Sequence, residues 1–206
     1  MLAERLMRFA ARPDVVVLAL PPGGVPVGFE IAHAVVASLD VFLVRELLTP
    51  GNPEIVTGTI TSGGIVVLNP DMVHQFNLSD AQIQTAVAQV QRELESQERR
   101  YRSNRPPLKI RSRTIIPVDD GLSAPSTMLA ATIAVRNQGP YWITIAIPVL
   151  SSPVHEELRG EFDEVVCLVE ARDLETVGQY YRSVPEVSEE QGRELLAQAA
   201  DKTRAA

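Results

Sequence analysis

The run Val15-Val16-Val17-Leu18-Ala19-Leu20 constrains the fold more than any other feature of this chain. Six consecutive apolar residues, three of them β-branched, leave no polar face to turn toward water. Such a run suits a strand covered on both sides, as in a parallel sheet sandwiched between helices. Pro21-Pro22-Gly23-Gly24 stops the strand, and Pro26 stands where the first turn of a helix begins. Ile31, Ala34, Val35 and Ser38 continue that helix, before Asp40 and a second apolar run over Val41 to Val44. The result is a β-loop-α-β unit, the building block of a doubly wound sheet.

The rest of the chain extends this pattern. Leu2, Leu6 and Phe9 recur at helical spacing and predict a short amphipathic surface helix at the start. Pro50, Gly51, Asn52 and Pro53 predict a loop over Glu46 to Glu54. Ile55 to Thr61 and Ile65 to Leu68 flank Ser62-Gly63-Gly64 and predict a β-hairpin. Ser79 and Gln82 form a capping box for a long helix, with Ile83, Val87, Val90, Leu94 and Tyr101 on one stripe and Pro106-Pro107 beyond its end. Strands follow at Thr114 to Val118, Tyr141 to Ile147 and Val165 to Val169. Helices are expected at Met128 to Arg136, from Ser152-Pro153, and after the Ser188/Gln191 cap. Pro117 removes one ladder hydrogen bond, so a sheet edge or a local irregularity is expected there. The fold class is α/β: a mostly parallel doubly wound sheet in a single domain over 1–206, with a hairpin and long helix inserted over about 52–108.

Composition narrows the function. Hydrophobic residues make up 45% and charged residues 22%, enough to bury a core, while the formal charge of −7 disfavours a nucleic-acid partner. The lone Cys167 fits a reducing compartment. The first ten residues lack the apolar core of a signal peptide, and no apolar run approaches ~18 residues. These features predict a cytoplasmic protein with no membrane partner.

Ligands of open parallel sheets bind beyond the carboxyl ends of the strands. Three loops meet that condition: Pro21 to Val25, Glu46 to Glu54, and Asp119 to Thr127. In the third, two acids follow a hydrophobic strand, and Gly121-Leu122-Ser123-Ala124-Pro125-Ser126-Thr127 leads into a helix. Backbone N–H groups at the helix start favour an anion, and the acids suit sugar hydroxyls or a hydrated metal; together they suggest a phosphorylated sugar. A strand-to-helix turn with the acids capping backbone groups explains the same residues.

The segment Ile115-Ile116-Pro117-Val118-Asp119-Asp120-Gly121-Leu122 resembles the phosphoribosyl pyrophosphate motif of type I phosphoribosyltransferases. A predicted bacterial subgroup of that family is similar collinearly over nearly the whole chain, through 18–27, 44–54, 118–128, 145–149 and 163–168. The resemblance implies transfer of a phosphoribosyl group to a nucleobase-like acceptor. Mg2+ would be held through substrate and water, with no direct protein ligand. Asp119 and Asp120 would bind the ribose hydroxyls in the catalytic site. Ser123, Ser126 and Thr127, with Gly121, would surround the 5′-phosphate. Gly23 and Gly24 would let backbone approach the pyrophosphate, and Arg45 would add positive charge. A homodimer is common in the family.

The departures from the subgroup's pattern fall where phosphates would be held. Pro22 replaces an arginine, Glu46 a lysine, and Ala124-Pro125 a Thr-Gly pair. A hydrogen bond to a charged group contributes roughly 1.5–3 kcal/mol. Four missing partners nominally remove on the order of 6–12 kcal/mol, against the ~8 kcal/mol of a micromolar ligand. The sequence therefore predicts a degenerate site with weakened or lost transfer. The alternatives are a non-catalytic binding or regulatory protein, or an enzyme acting on another phosphorylated small molecule. Arg99, Arg100, Arg102, Arg105, Lys109, Arg111 and Arg113 read as a solvated helix end running into a linker, rather than a phosphate-binding face. Cys167 reads as a packed thiol, and His33, His74 and His155 lack metal-ligand spacing. Tyr180 and Tyr181 fit either base contact or packing of the closing segment.

Overall fold

The computed structural model describes residues 1–122, 125–158, 160–172, 174, 176–183 and 187–205, with side chains to Asp201. The chain opens with α1 (Leu2–Arg5) and a 3-10 turn (Met7–Phe9), then β1 (Val15–Ala19), α2 (Gly24–Val35) and β2 (Ser38–Val41). The intervening segment holds β3 (Val44–Thr49), β4 (Asn52–Thr61), β5 (Val66–Leu68), α3 (Pro70–Gln75) and α4 (Asp80–Arg102). Next come β6 (Thr114–Val118), α5 (Ser126–Arg136), β7 (Trp142–Ser151), α6 (Ser152–Leu158) and β8 (Glu164–Ala171). A second 3-10 turn (Val177–Tyr180) and α7 (Glu189–Ala205) close the chain.

Five strands form a parallel sheet in the order β2-β1-β6-β7-β8, and β3, β4 and β5 form a separate antiparallel sheet. The run over β1 is buried throughout because its two faces feed two cores. Val15, Val17 and Ala19 pack on the side of α1, α2 and α7. Val16, Leu18 and Leu20 pack on the side of α5 and α6. This is the layered burial that an unalternating strand requires. The chain runs from β1 to β2 on one side and returns to β6 on the other, so strand order reverses between β1 and β6. That reversal leaves a crevice at their carboxyl ends.

Four expectations change. Glu46 to Glu54 is two strands joined at Pro50-Gly51, where Gly51 takes φ +82°, so the loop shrinks to a turn and the hairpin gains β3 as a third strand. The second strand lies earlier than expected: α2 stops at a left-handed Val36, Ser38 opens β2, which ends at Val41, Phe42 and Leu43 lie in no element, and Val44 joins the antiparallel sheet. Pro117 lies in the middle strand of the sheet and not at its edge. The irregularity is its ladder to β7, which pairs Thr114, Ile115 and Val118 and skips Ile116 and Pro117. Arg102 is not solvated: its guanidinium is buried against Asp40 and Glu98, tying the end of α4 to β2.

Both capping boxes form. Ser79 Oγ accepts from Gln82 N while Ser79 N donates to Gln82 Oε1, and Ser188 and Gln191 repeat the exchange before α7. Leu2, Leu6 and Phe9 are buried on the core, but the segment expected as one helix is split into α1, which holds only Leu2 of the three, and the 3-10 turn that holds Phe9. Among the described residues, no helix is long and apolar enough to cross a membrane.

Candidate functional site

The glycine loop after β1 and the acid pair after β6 meet at the crevice. Leu20 N donates to Val118 O at 2.8 Å and Gly24 N to Leu20 O at 2.9 Å, which turns the chain back over the end of β6. Gly23 has an ordinary φ of −66°; what it lacks is room. A Cβ there would lie 2.1 Å from Asp120 Oδ2, and one on Gly24 would lie 2.5 Å from Val118 O. These glycines therefore let the loop press directly onto the acids.

Asp120 N donates to Asp119 Oδ1 at 2.9 Å. Burial first, and the neighbouring Asp120 charge second, push the Asp119 carboxyl up to about 8. The closing segment covers the same loop. Tyr181 Oη donates to Asp120 O at 2.6 Å, and a Cβ on Gly121 would meet Val177 Cγ1 at 2.4 Å. Burial and the charges of Asp120 and Asp119 push the Tyr181 phenol up to about 12, so it remains a donor. Leu122 N donates to Val149 O, and Ser151 N to Leu122 O, stitching the loop to the end of β7. Tyr181 is thus a packing contact on the acid loop, whereas Tyr180 is largely exposed.

Ser123 and Ala124 lie outside the described residues. Pro125 precedes α5, with Ser126 exposed and Thr127 half-buried. Thr127 faces a cleft of ≈ 930 Å³ between β3 and α4, shared with Arg45, Glu46, Gln89 and Glu93. A smaller pocket of ≈ 280 Å³ lies beside Pro21 and Pro22 and is lined by Arg45, Gln97, Tyr101 and Glu189. Arg45 Nη2 donates to Gln97 Oε1 at 2.7 Å. The structure therefore brings Gly23, Gly24, Gly121, Asp119 and Asp120 together and sets Arg45 beside the glycine loop. Gln97 and Glu189 were not expected there; their long separation in sequence left no local signal.

Among the described residues, no group of three or more His, Cys, Asp or Glu side chains is arranged to hold a metal. Cys167 is half-buried, and burial, reinforced by Glu170, raises its thiol, as expected of a packed cysteine. His33 is exposed.

No family model matches the chain. Curated proteins from two Mycobacterium tuberculosis strains, CDC 1551 / Oshkosh and H37Rv, carry the name "Putative phosphoribosyl transferase". Each is 36% identical over 190 residues, covering 92% of this chain and 43% of the relative. The chain thus spans less than half the length of these curated relatives. The crystal structure of TT1426 from Thermus thermophilus superposes with a TM-score of 0.81 at 35% identity, covering 96% of this chain and 93% of that one. With its acid pair at the strand-order reversal of a parallel sheet and relatives at this level of identity, the chain belongs to the phosphoribosyltransferase family.

Proposed function

We propose that this chain carries a phosphoribosyl pyrophosphate site whose ribose-binding acids are intact and whose phosphate-holding positions, at the pyrophosphate and in the 5′-phosphate loop, are weakened. The observation that carries this reading is the contact between Gly23 and Asp120 at the reversal between β1 and β6. Asp119 and Asp120 hold the ribose hydroxyls. Gly121, Ser126 and Thr127 surround the 5′-phosphate, with Ser123 assigned to it by family resemblance alone, and Gly23, Gly24 and Arg45 face the diphosphate. The acceptor is nucleobase-like and the assembly a homodimer, both by family resemblance.

A Mg2+ ion fits this site when it arrives on the diphosphate. Two adjacent carboxylates, one driven to keep its proton by burial and like charge, gain from a cation placed beside them. The ion's contribution is to neutralise the departing diphosphate. The chain's own residues orient the sugar and exclude water around it. Pro22 is exposed at the glycine loop and brings no charge, and Arg45 is already engaged by Gln97. Transfer is therefore weakened or lost. The second reading, a non-catalytic binding or regulatory protein, draws on the same two observations.

Calorimetric titration with phosphoribosyl pyrophosphate and Mg2+ tests this, with Asp119→Ala/Asp120→Ala as control. The expected result is affinity weaker than micromolar that disappears in the double variant. Micromolar affinity refutes the weakening, and binding indifferent to the loss of both acids refutes the site.

A further inference from the structure

The pocket beside Pro21 and Pro22 collects residues from distant parts of the chain: Arg45 on β3, Gln97 and Tyr101 on α4, and Glu189 at the start of α7. Glu189 also borders a surface hollow with Arg99, Arg100 and Arg193, so it stands between the two spaces. Arg100 grips its carboxylate with both arms of the fork, Nε to Oε1 at 2.6 Å and Nη2 to Oε2 at 3.2 Å. On the pocket side, Arg45 is held by Gln97. Close packing seats α7 on α4: a Cβ on Gly192 would lie 2.8 Å from Tyr101 Cε1. A carboxylate gripped by one arginine, with another lining the same small pocket, occupies the position of a bound anion.

We propose that Glu189 is an internal competitor for the diphosphate, its carboxylate held by Arg100 from the neighbouring hollow and filling the anion position that Arg45 offers beside Pro21-Pro22. The assignment rests on reading the Pro21–Gly24 loop as the diphosphate side of the site. The Arg100 hydrogen bond, partly opposed by burial and aided by the charges of Arg100 and Arg45, holds the Glu189 carboxyl below its ordinary range. It is therefore charged at neutral pH. An incoming diphosphate has to displace this carboxylate, still gripped by the Arg100 fork, before it can engage Arg45 in the pocket. Weakness at this half of the site thus has a source in α7, in addition to the missing cation at Pro22.

The test is calorimetric titration of the full chain with inorganic pyrophosphate and Mg2+, compared between wild type and Glu189→Gln. Pyrophosphate carries no ribose, so the result does not depend on the ribose contacts assigned to Asp119 and Asp120. Failure of the phosphoribosyl reading would show instead as phosphoribosyl pyrophosphate binding that ignores those acids. Glu189→Gln is expected to bind pyrophosphate at least about fivefold more tightly, the scale of releasing a partly exposed ion pair. Adding Arg45→Gln should abolish the gain. Glu190→Gln makes the same change in net charge one residue on, at a side chain paired with Arg193 and outside the pocket, and should give no gain. Equal or undetectable binding in Glu189→Gln and wild type overturns the proposal, as does an equal gain in Glu190→Gln.

Discussion

Truncating Arg102 to alanine should destabilise the chain far more than truncating Arg100, two residues away on the same helix. The Arg102 side chain is 9% exposed and its partner Asp40 7%. Its Nε donates to Asp40 Oδ1 at 2.7 Å, Nη2 donates to Val41 O at 2.8 Å, and Nη1 lies 3.1 Å from Glu98 Oε1. Removing one member of a buried pair leaves the other charge uncompensated and costs roughly 3–5 kcal/mol. Asp40 would keep two backbone donors, Val41 N and Leu108 N, which places Arg102→Ala toward the lower end, about 3 kcal/mol. Arg100 and Glu189 are 55% and 36% exposed, so Arg100→Ala should cost no more than about 1 kcal/mol. Equilibrium urea unfolding measures both, with the midpoint moving and the slope constant. Pairing Arg102→Ala with Asp40→Asn should recover part of the loss by removing the stranded charge. An Arg102→Ala cost of about 1 kcal/mol or less would refute the reasoning.

Gly23→Ala places a Cβ 2.1 Å from Asp120 Oδ2, so the carboxylate must move. Overpacking of this kind costs about 1–3 kcal/mol, and calorimetry should show phosphoribosyl pyrophosphate binding lost. Asp119 holds its proton more tightly folded than unfolded. Its contribution to stability is therefore full below about pH 4 and declines as pH rises toward about 8. Melting temperatures over that window should fall less steeply in Asp119→Asn than in wild type. Tyr181→Phe removes the donor to Asp120 O and should cost about 0.5–1.5 kcal/mol in urea unfolding, with weaker ligand binding if the closing segment holds the acid loop in place.

Elements whose physics is local are legible in the sequence. The capping boxes at Ser79 and Ser188 need only residues three apart, and the Val15–Leu20 run declares burial on both faces without reference to its neighbours. Asn69-Pro70-Asp71 carries a comparable signal for α3, absent from the sequence expectations: Asn69 Oδ1 accepts from Asp71 N and Met72 N. Pro50 to Pro53 mislead because breaker residues mark a turn without revealing how closely strands approach it. Pro117 shows as the expected local irregularity and not as a sheet edge, because two skipped ladder positions are tolerated in a middle strand when its other side remains paired, here to Leu18. Arg102 resembles one more solvated cation because Asp40 lies 62 residues away. In the candidate site, the loops that carry Asp119, Asp120, Gly23 and Gly24 are legible from strand-end position. Glu189 and Gln97 are not, because only tertiary packing of α4 and α7 brings them to Arg45.

The central claim is that the fold keeps a phosphoribosyl site whose phosphate-holding residues have been replaced. Measuring phosphoribosyl pyrophosphate affinity of the triple variant Pro22→Arg, Ala124→Thr, Pro125→Gly against wild type tests it most directly. The account predicts a gain of at least about tenfold, the equivalent of ~1.4 kcal/mol, that vanishes when Asp119 and Asp120 are also changed to Asn. Unchanged affinity in the triple variant, or a gain that survives loss of both acids, would contradict it.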